Sequence, residues 1–146
     1  MIGMKPREGR LQTAEHILAR TIEKNFPNTK FIISTFKENS GKIEVFAEMD
    51  LRKIDLTKLA NDVNAIIQKN LQVKKYTIQR KDAETEFDLT RLPSKVKEIR
   101  IVEIQGFDKT PCKDPHVENT SQIGHFEILK VSKTGKSSYR LNFTVN

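Results

Sequence analysis

Residues 11–49 read "LQTAEHILARTIEKNFPNTKFIISTFKENSGKIEVFAEM", and a change of periodicity inside this stretch sets the fold class. Leu11, Ala14, Leu18 and Ile22 recur at helical spacing, which predicts a helix over 11–26 that "PN" at 27–28 stops. Immediately afterwards "KFIISTFKE" and "GKIEVFAEM" are β-rich runs joined by "NSG", the pattern of a hairpin. A helix feeding an antiparallel hairpin is not the start of a βαβ unit.

The flanking sequence continues that mixture. Asp55 is placed to cap a second helix, "LTKLANDVNAIIQKNLQ", with Leu56, Leu59, Val63, Ile66 and Ile67 on one side. "VKKYTIQR" predicts a strand and "DAETEF" a short helix, while Pro93 makes "DLTRLPSKV" irregular. "KEIRIVEIQ" alternates as a strand, and "HFEILKVSKTGKSSYRLNFTV" as a closing hairpin that turns near "KTGKS". The expected class is α+β, with a mostly antiparallel sheet packed on two main helices. No repeat, low-complexity tract or linker divides the chain, so a single domain over 1–146 is expected.

Composition narrows the function classes. The 146 residues suffice for a core without staples, and 36% hydrophobic with 31% charged residues suits a globular protein. No run approaches the roughly 18 apolar residues of a membrane span. The N-terminal "MIGMKPREGR" lacks the apolar core of a signal peptide, and one cysteine forms no internal disulfide, so a cytoplasmic location is expected. Lys and Arg number 26 against 19 Asp and Glu, a net +7 that favours an anionic partner, nucleic acid first. Eight Phe, two Tyr and no Trp are too few for a base-stacking platform, so phosphate contacts would dominate any such binding.

The chemistry-bearing residues are few. The only cysteine, Cys112, precedes His116 by four in "TPCKDPHVENTSQIGHF" (110–126), between prolines that stiffen the loop. Thiolate and neutral imidazole are good zinc ligands, yet a lone Cys-x-x-x-His pair also arises by chance. Gln12 and His16, four apart on the first helix, share a face beside its apolar stripe. On that helix, a packing histidine and a surface glutamine are the ordinary readings. His125 reads as structural, at the opening of the last strand pair. From the residues alone, the pattern is a candidate His/Cys/His site on a basic α+β frame.

"QTAEHIL" followed about a hundred residues later by "CKDPHVENTSQIGHFEI" resembles the editing domain shared by threonyl- and alanyl-tRNA synthetases, and the free-standing AlaX alanyl-tRNA editing proteins built from it. The family pattern is His-x-x-x-His on the first long helix and Cys-x-x-x-His in a late loop, then a threonine and a glycine turn. His16, Cys112, His116, Thr120 and "QIG" at 122–124 match it, and the order of elements agrees along nearly the whole chain. Gln12 stands where the family has its first histidine, which leaves three good ligands and a weak amide oxygen or an open position. No upstream β-barrel segment, glycine-rich motif or synthetase body accompanies the motifs.

The resemblance implies a minimal stand-alone editor that hydrolyses mischarged aminoacyl-tRNA in trans, without ATP, at a Zn²⁺ held by His16, Cys112 and His116. Seryl-tRNA(Ala) is its expected substrate. Seryl-tRNA(Thr), or tRNA binding without hydrolysis, is the alternative. A zinc-activated water would carry the reaction, with Thr120 either a substrate contact or a loop-capping hydroxyl. Lys130, Lys133, Lys136 and Arg140 in the last hairpin are candidates for tRNA phosphates, or simply a solvated strand face.

Overall fold

A computed structural model describes residues 4–146, with side chains in the first helix described from Gly9 onward. Helix α1 (Met4–Asn25) is followed by strands β1 (Thr29–Phe36) and β2 (Gly41–Ala47) and helix α2 (Leu56–Gln68). Strand β3 (Val73–Gln79), the short helix α3 (Arg80–Ala83), β4 (Glu98–Ile104) and β5 (Asp108–Pro111) come next, and β6 (Phe126–Gly135) and β7 (Ser138–Val145) close the chain. All pairings are antiparallel, in a four-stranded sheet β1-β2-β7-β6 and a three-stranded sheet β3-β4-β5. The α+β class is the observed one, with the strands divided between two sheets.

Most boundaries follow from local chemistry. The side chain of Asp55 accepts from Lys58 N–H, the capping contact expected at the start of α2. That helix ends at Gln68, short of "NLQ", because Asn70 takes a left-handed φ of 58°. Helix α1 begins earlier than its apolar repeat suggests, since Pro6 lies in the first turn, where a missing N–H costs little. The helix expected over "DAETEF" is displaced to Arg80–Ala83, followed by turns. Gly124 has φ 87°, and a side chain there would run into the Asn146 carbonyl and Arg10, so "QIG" needs its glycine.

The main core lies between α1, α2 and the four-stranded sheet, with Leu11, Ala14, Leu18 and Ile22 buried as the helical spacing predicts. A smaller apolar cluster holds Ala83, Leu89, Ile99 and Ile101. Strand β4 joins the two, since Val102 and Ile104 belong to the main core and Ile99 and Ile101 to the smaller one. Strand β5 is hydrogen-bonded to the edge of β4 and delivers the chain to Cys112. Among the described residues no helix is long and apolar enough to cross a membrane.

Candidate metal centre

Two rigid pieces meet at the cluster. His16 comes from the middle of α1, where the helical backbone fixes its Cα. Cys112 and His116 come from the loop after β5, and that loop's backbone is tied down by hydrogen bonds to its neighbours. Cys112 N–H extends the β4–β5 ladder to Arg100 O at 3.0 Å. The Arg100 guanidinium donates to the carbonyls of Cys112 (3.0 Å) and Asp114 (2.9 Å), and Lys75 donates to His116 O at 3.2 Å. Gly9 lets α1 approach closely, because a Cβ there would lie 3.3 Å from the His116 carbonyl carbon.

The side chains of His16, Cys112 and His116 converge. One ligand atom from each lies within 4.8 Å of the others, His116 Nε2 is 3.4 Å from Cys112 Sγ, and the two imidazoles meet edge to face at 4.7 Å. Both histidines are buried and Cys112 is half-buried. One thiol and two imidazoles at this spacing are a donor set for a borderline metal ion such as zinc. Gln12, one turn before His16, is 7% exposed, and its Oε1 is buried without a hydrogen-bond partner among the described residues. An orphaned buried carbonyl is costly unless something fills its lone pairs. A residue whose ordinary reading is a surface glutamine is thus inside.

The two histidines have opposite electrostatic surroundings. Burial disfavours a charge on His16, but its contacts with Asp108 and Cys112 and the charge of Glu15 prevail, and its pKa is pushed up to about 10. Its Nδ1 is 3.7 Å from Asp108 Oδ2, an ion contact longer than a hydrogen bond. Burial, the neighbouring His16, Arg100 and Lys75 push His116 down to about 3, so it stays neutral. Burial also raises the Glu15 carboxyl, which stands next to His16 in sequence. Without a metal, His16 is therefore the cationic imidazole of the pair and His116 the neutral one.

His16 and Cys112 open onto a cleft of about 930 Å³ between α1 and the β4–β5 edge. Its lining is acidic in a basic protein: Glu15, Glu23, Glu86, Asp88, Glu103, Asp108 and Asp114 outnumber Arg20 and Lys109. Such a cleft attracts a cationic group towards the cluster while the net charge of +7 attracts polyanions to the whole molecule.

The family description "Threonyl and Alanyl tRNA synthetase second additional domain" matches residues 99–142, which include Cys112 and His116. The alanyl-tRNA editing protein AlaX-M of Methanosarcina barkeri is 34% identical over 146 residues, covering 95% of this chain and 58% of the relative. AlaX-L of Pyrococcus horikoshii is 33% identical, over 94% of this chain and 34% of the relative. The threonine–tRNA ligase of Clostridium novyi is 30% identical over 82% of this chain and 20% of its own length. The chain is similar to the alanyl-tRNA editing relatives along nearly its whole length, and to the family description over 99–142. It spans little more than half the length of the Methanosarcina relative.

The other expected site residues lie apart from the cluster. Thr120 is fully buried and is absent from the cleft lining. Its hydroxyl donates to Ile67 O (3.0 Å) and accepts from Leu71 N–H (2.8 Å), so both are used to close the end of α2. Of the two readings of Thr120, these contacts are those of a loop-capping hydroxyl. His125 is 60% exposed beside Glu127, and its backbone pairs with Asn146. Lys130, Lys133 and Lys136 are exposed on the last hairpin, and Arg140 pairs with Glu44 at 3.2 Å. None of the four lines the cleft. Two neighbours of the cluster, Thr13 and Asp108, escape sequence reasoning: a threonine inside a helix and an aspartate in a turn-rich segment carry no local mark of their partners.

Proposed function

We propose that this chain hydrolyses the ester of mischarged aminoacyl-tRNA in trans, with serine on alanine-specific tRNA as substrate, at a zinc site formed by His16, Cys112 and His116. The observation that carries the reading is the convergence of these three side chains at the edge of a large acidic cleft. The similarity to alanyl-tRNA editing proteins points to the reaction class. Gln12 Oε1 would be a weak fourth donor or leave that position open. A zinc ion held there supplies Lewis acidity towards the ester.

The chain's own residues would do the rest. An aminoacyl ester presents a free α-ammonium, and the carboxylates Glu15, Glu23, Asp108 and Asp114 line the cleft beside the cluster. Buried His116, neutral at working pH, is a ready ligand, whereas His16 must give up its proton on binding the ion. Lys130, Lys133 and Lys136 offer phosphate contacts, with Arg140 partly committed to Glu44. Such contacts weaken steeply as salt rises, because each neutralised phosphate releases condensed counterions.

The test is incubation with serine-charged alanine tRNA and serine-charged threonine tRNA, with the correctly charged tRNAs as controls. Loss of serine from alanine tRNA alone is the expected result. Loss from threonine tRNA alone would reassign the substrate. Binding of tRNA with no loss from either would reduce the chain to a tRNA-binding module that lost hydrolysis with its first family histidine.

A further inference from the structure

Thr13 is fully buried on α1, one residue after Gln12, and its hydroxyl sits among three polar partners. It lies 2.7 Å from Gly9 O, 3.2 Å from Val117 N and 3.0 Å from His116 Nδ1. A hydroxyl has one proton to give. Two acceptors 2.7 Å apart with no proton between them repel, so that proton goes to the Gly9 carbonyl. The oxygen's lone pairs then accept, one from Val117 N–H and one from His116. Acceptance requires a proton on His116 Nδ1, which leaves the lone pair on Nε2, the nitrogen that faces Cys112 Sγ. On the other imidazole, Asp108 stands against Nδ1 of His16.

We propose that Thr13 is a positioning residue for the metal centre: its hydroxyl fixes His116 as the Nδ1–H tautomer and aims Nε2 at the ion, while Asp108 holds the Nδ1 side of His16 in the same sense. The inference rests on the metal reading above and adds the parts that preset it. The ligand geometry is thereby built into α1 itself, since Gly9, Gln12, Thr13 and His16 share one helix. Partners that orient a ligating imidazole are worth roughly 10–100-fold in metal affinity.

Two measurements test it. In metal-free wild-type protein labelled with ¹⁵N, long-range proton–nitrogen correlation reads the tautomer of His116 directly. A proton on Nδ1 is expected, and a proton on Nε2 would overturn the proposal whatever the metal does. Zinc affinity, read by competition with a chromophoric chelator, should fall roughly 10–100-fold in Thr13→Val and recover in Thr13→Ser. Asp108→Asn should weaken it in the same direction. Equal affinity in wild type and a folded Thr13→Val would contradict the positioning role. If Thr13→Val does not fold, the tautomer of the wild type decides alone. Absence of zinc binding by the wild type, with Nδ1 protonated, would instead refute the metal reading and leave the tautomer assignment standing.

Discussion

The four-stranded sheet and the three-stranded sheet divide the work of this molecule unequally. The former, with α1 and α2, buries the main core. Behind the latter lies a cluster of four buried apolar residues among those described. Yet the smaller sheet delivers two of the three converging side chains, because Cys112 and His116 follow β5. What positions them is polar. Arg100, Lys75 and Thr13 hold the loop by hydrogen bonds, whereas His16 is held by the packing of α1. Stability and site chemistry are thus separable, and variants should separate them.

The largest effect is expected at the ligands. Cys112→Ser combined with His116→Ala should abolish zinc retention, measured as metal per chain after purification without chelator, with little change in the circular dichroism of the fold. Unchanged zinc content would place the ion elsewhere. Conversely Leu18→Ala, deep in the main core, should cost about 2–5 kcal/mol in urea unfolding and leave zinc stoichiometry intact.

A second test uses the contrast between the two histidines. The folded apoprotein holds a proton on His16 up to about pH 10, while His116 is neutral down to about 3. Metal binding must displace the first proton and not the second. Calorimetry in buffers of different ionisation enthalpy near pH 7 should therefore show at least one proton released, and affinity should rise about tenfold per pH unit from this group. Proton-neutral binding would mean that His16 is already neutral. For stability without metal the signs oppose. His16, raised above the unfolded value, stabilises below about 6.5 and loses that contribution as pH climbs to about 10. His116, lowered, costs stability as pH falls from about 6.5 towards 3.

Smaller effects sharpen the boundary. Gln12→His should tighten zinc several-fold by completing the family's ligand set, and identical affinity would show that Gln12 lies away from the ion. Thr120→Val, which breaks the link to Ile67 and Leu71, should cost about 1–3 kcal/mol of stability without altering zinc affinity.

The sequence announces the parts whose cause is local. The apolar repeat of α1, the Asp55 cap, the "NSG" hairpin and the alternation in β4 and β7 are all visible as pattern. The division into two sheets is not, because it depends on β4 having both faces covered, a property of neighbours distant in the chain. At the site, the candidate donor types and their spacing are legible, and the resemblance singles out His16. Gln12 illustrates the limit: helical spacing gives its face, but only the loop packed against α1 makes that face interior. Thr13 and Asp108 are harder still, since each matters through a partner about a hundred residues away.

If the His16, Cys112 and His116 cluster is the proposed hydrolytic centre for mischarged tRNA, removing two of its donors should abolish the release of serine. The most direct measurement is the rate at which serine leaves seryl-tRNA(Ala) with wild-type protein and with the Cys112→Ser/His116→Ala variant, at equal tRNA occupancy. Rapid loss with the wild type and only the spontaneous rate with the variant is the predicted result. Equal loss with both, or the spontaneous rate with both, would contradict it.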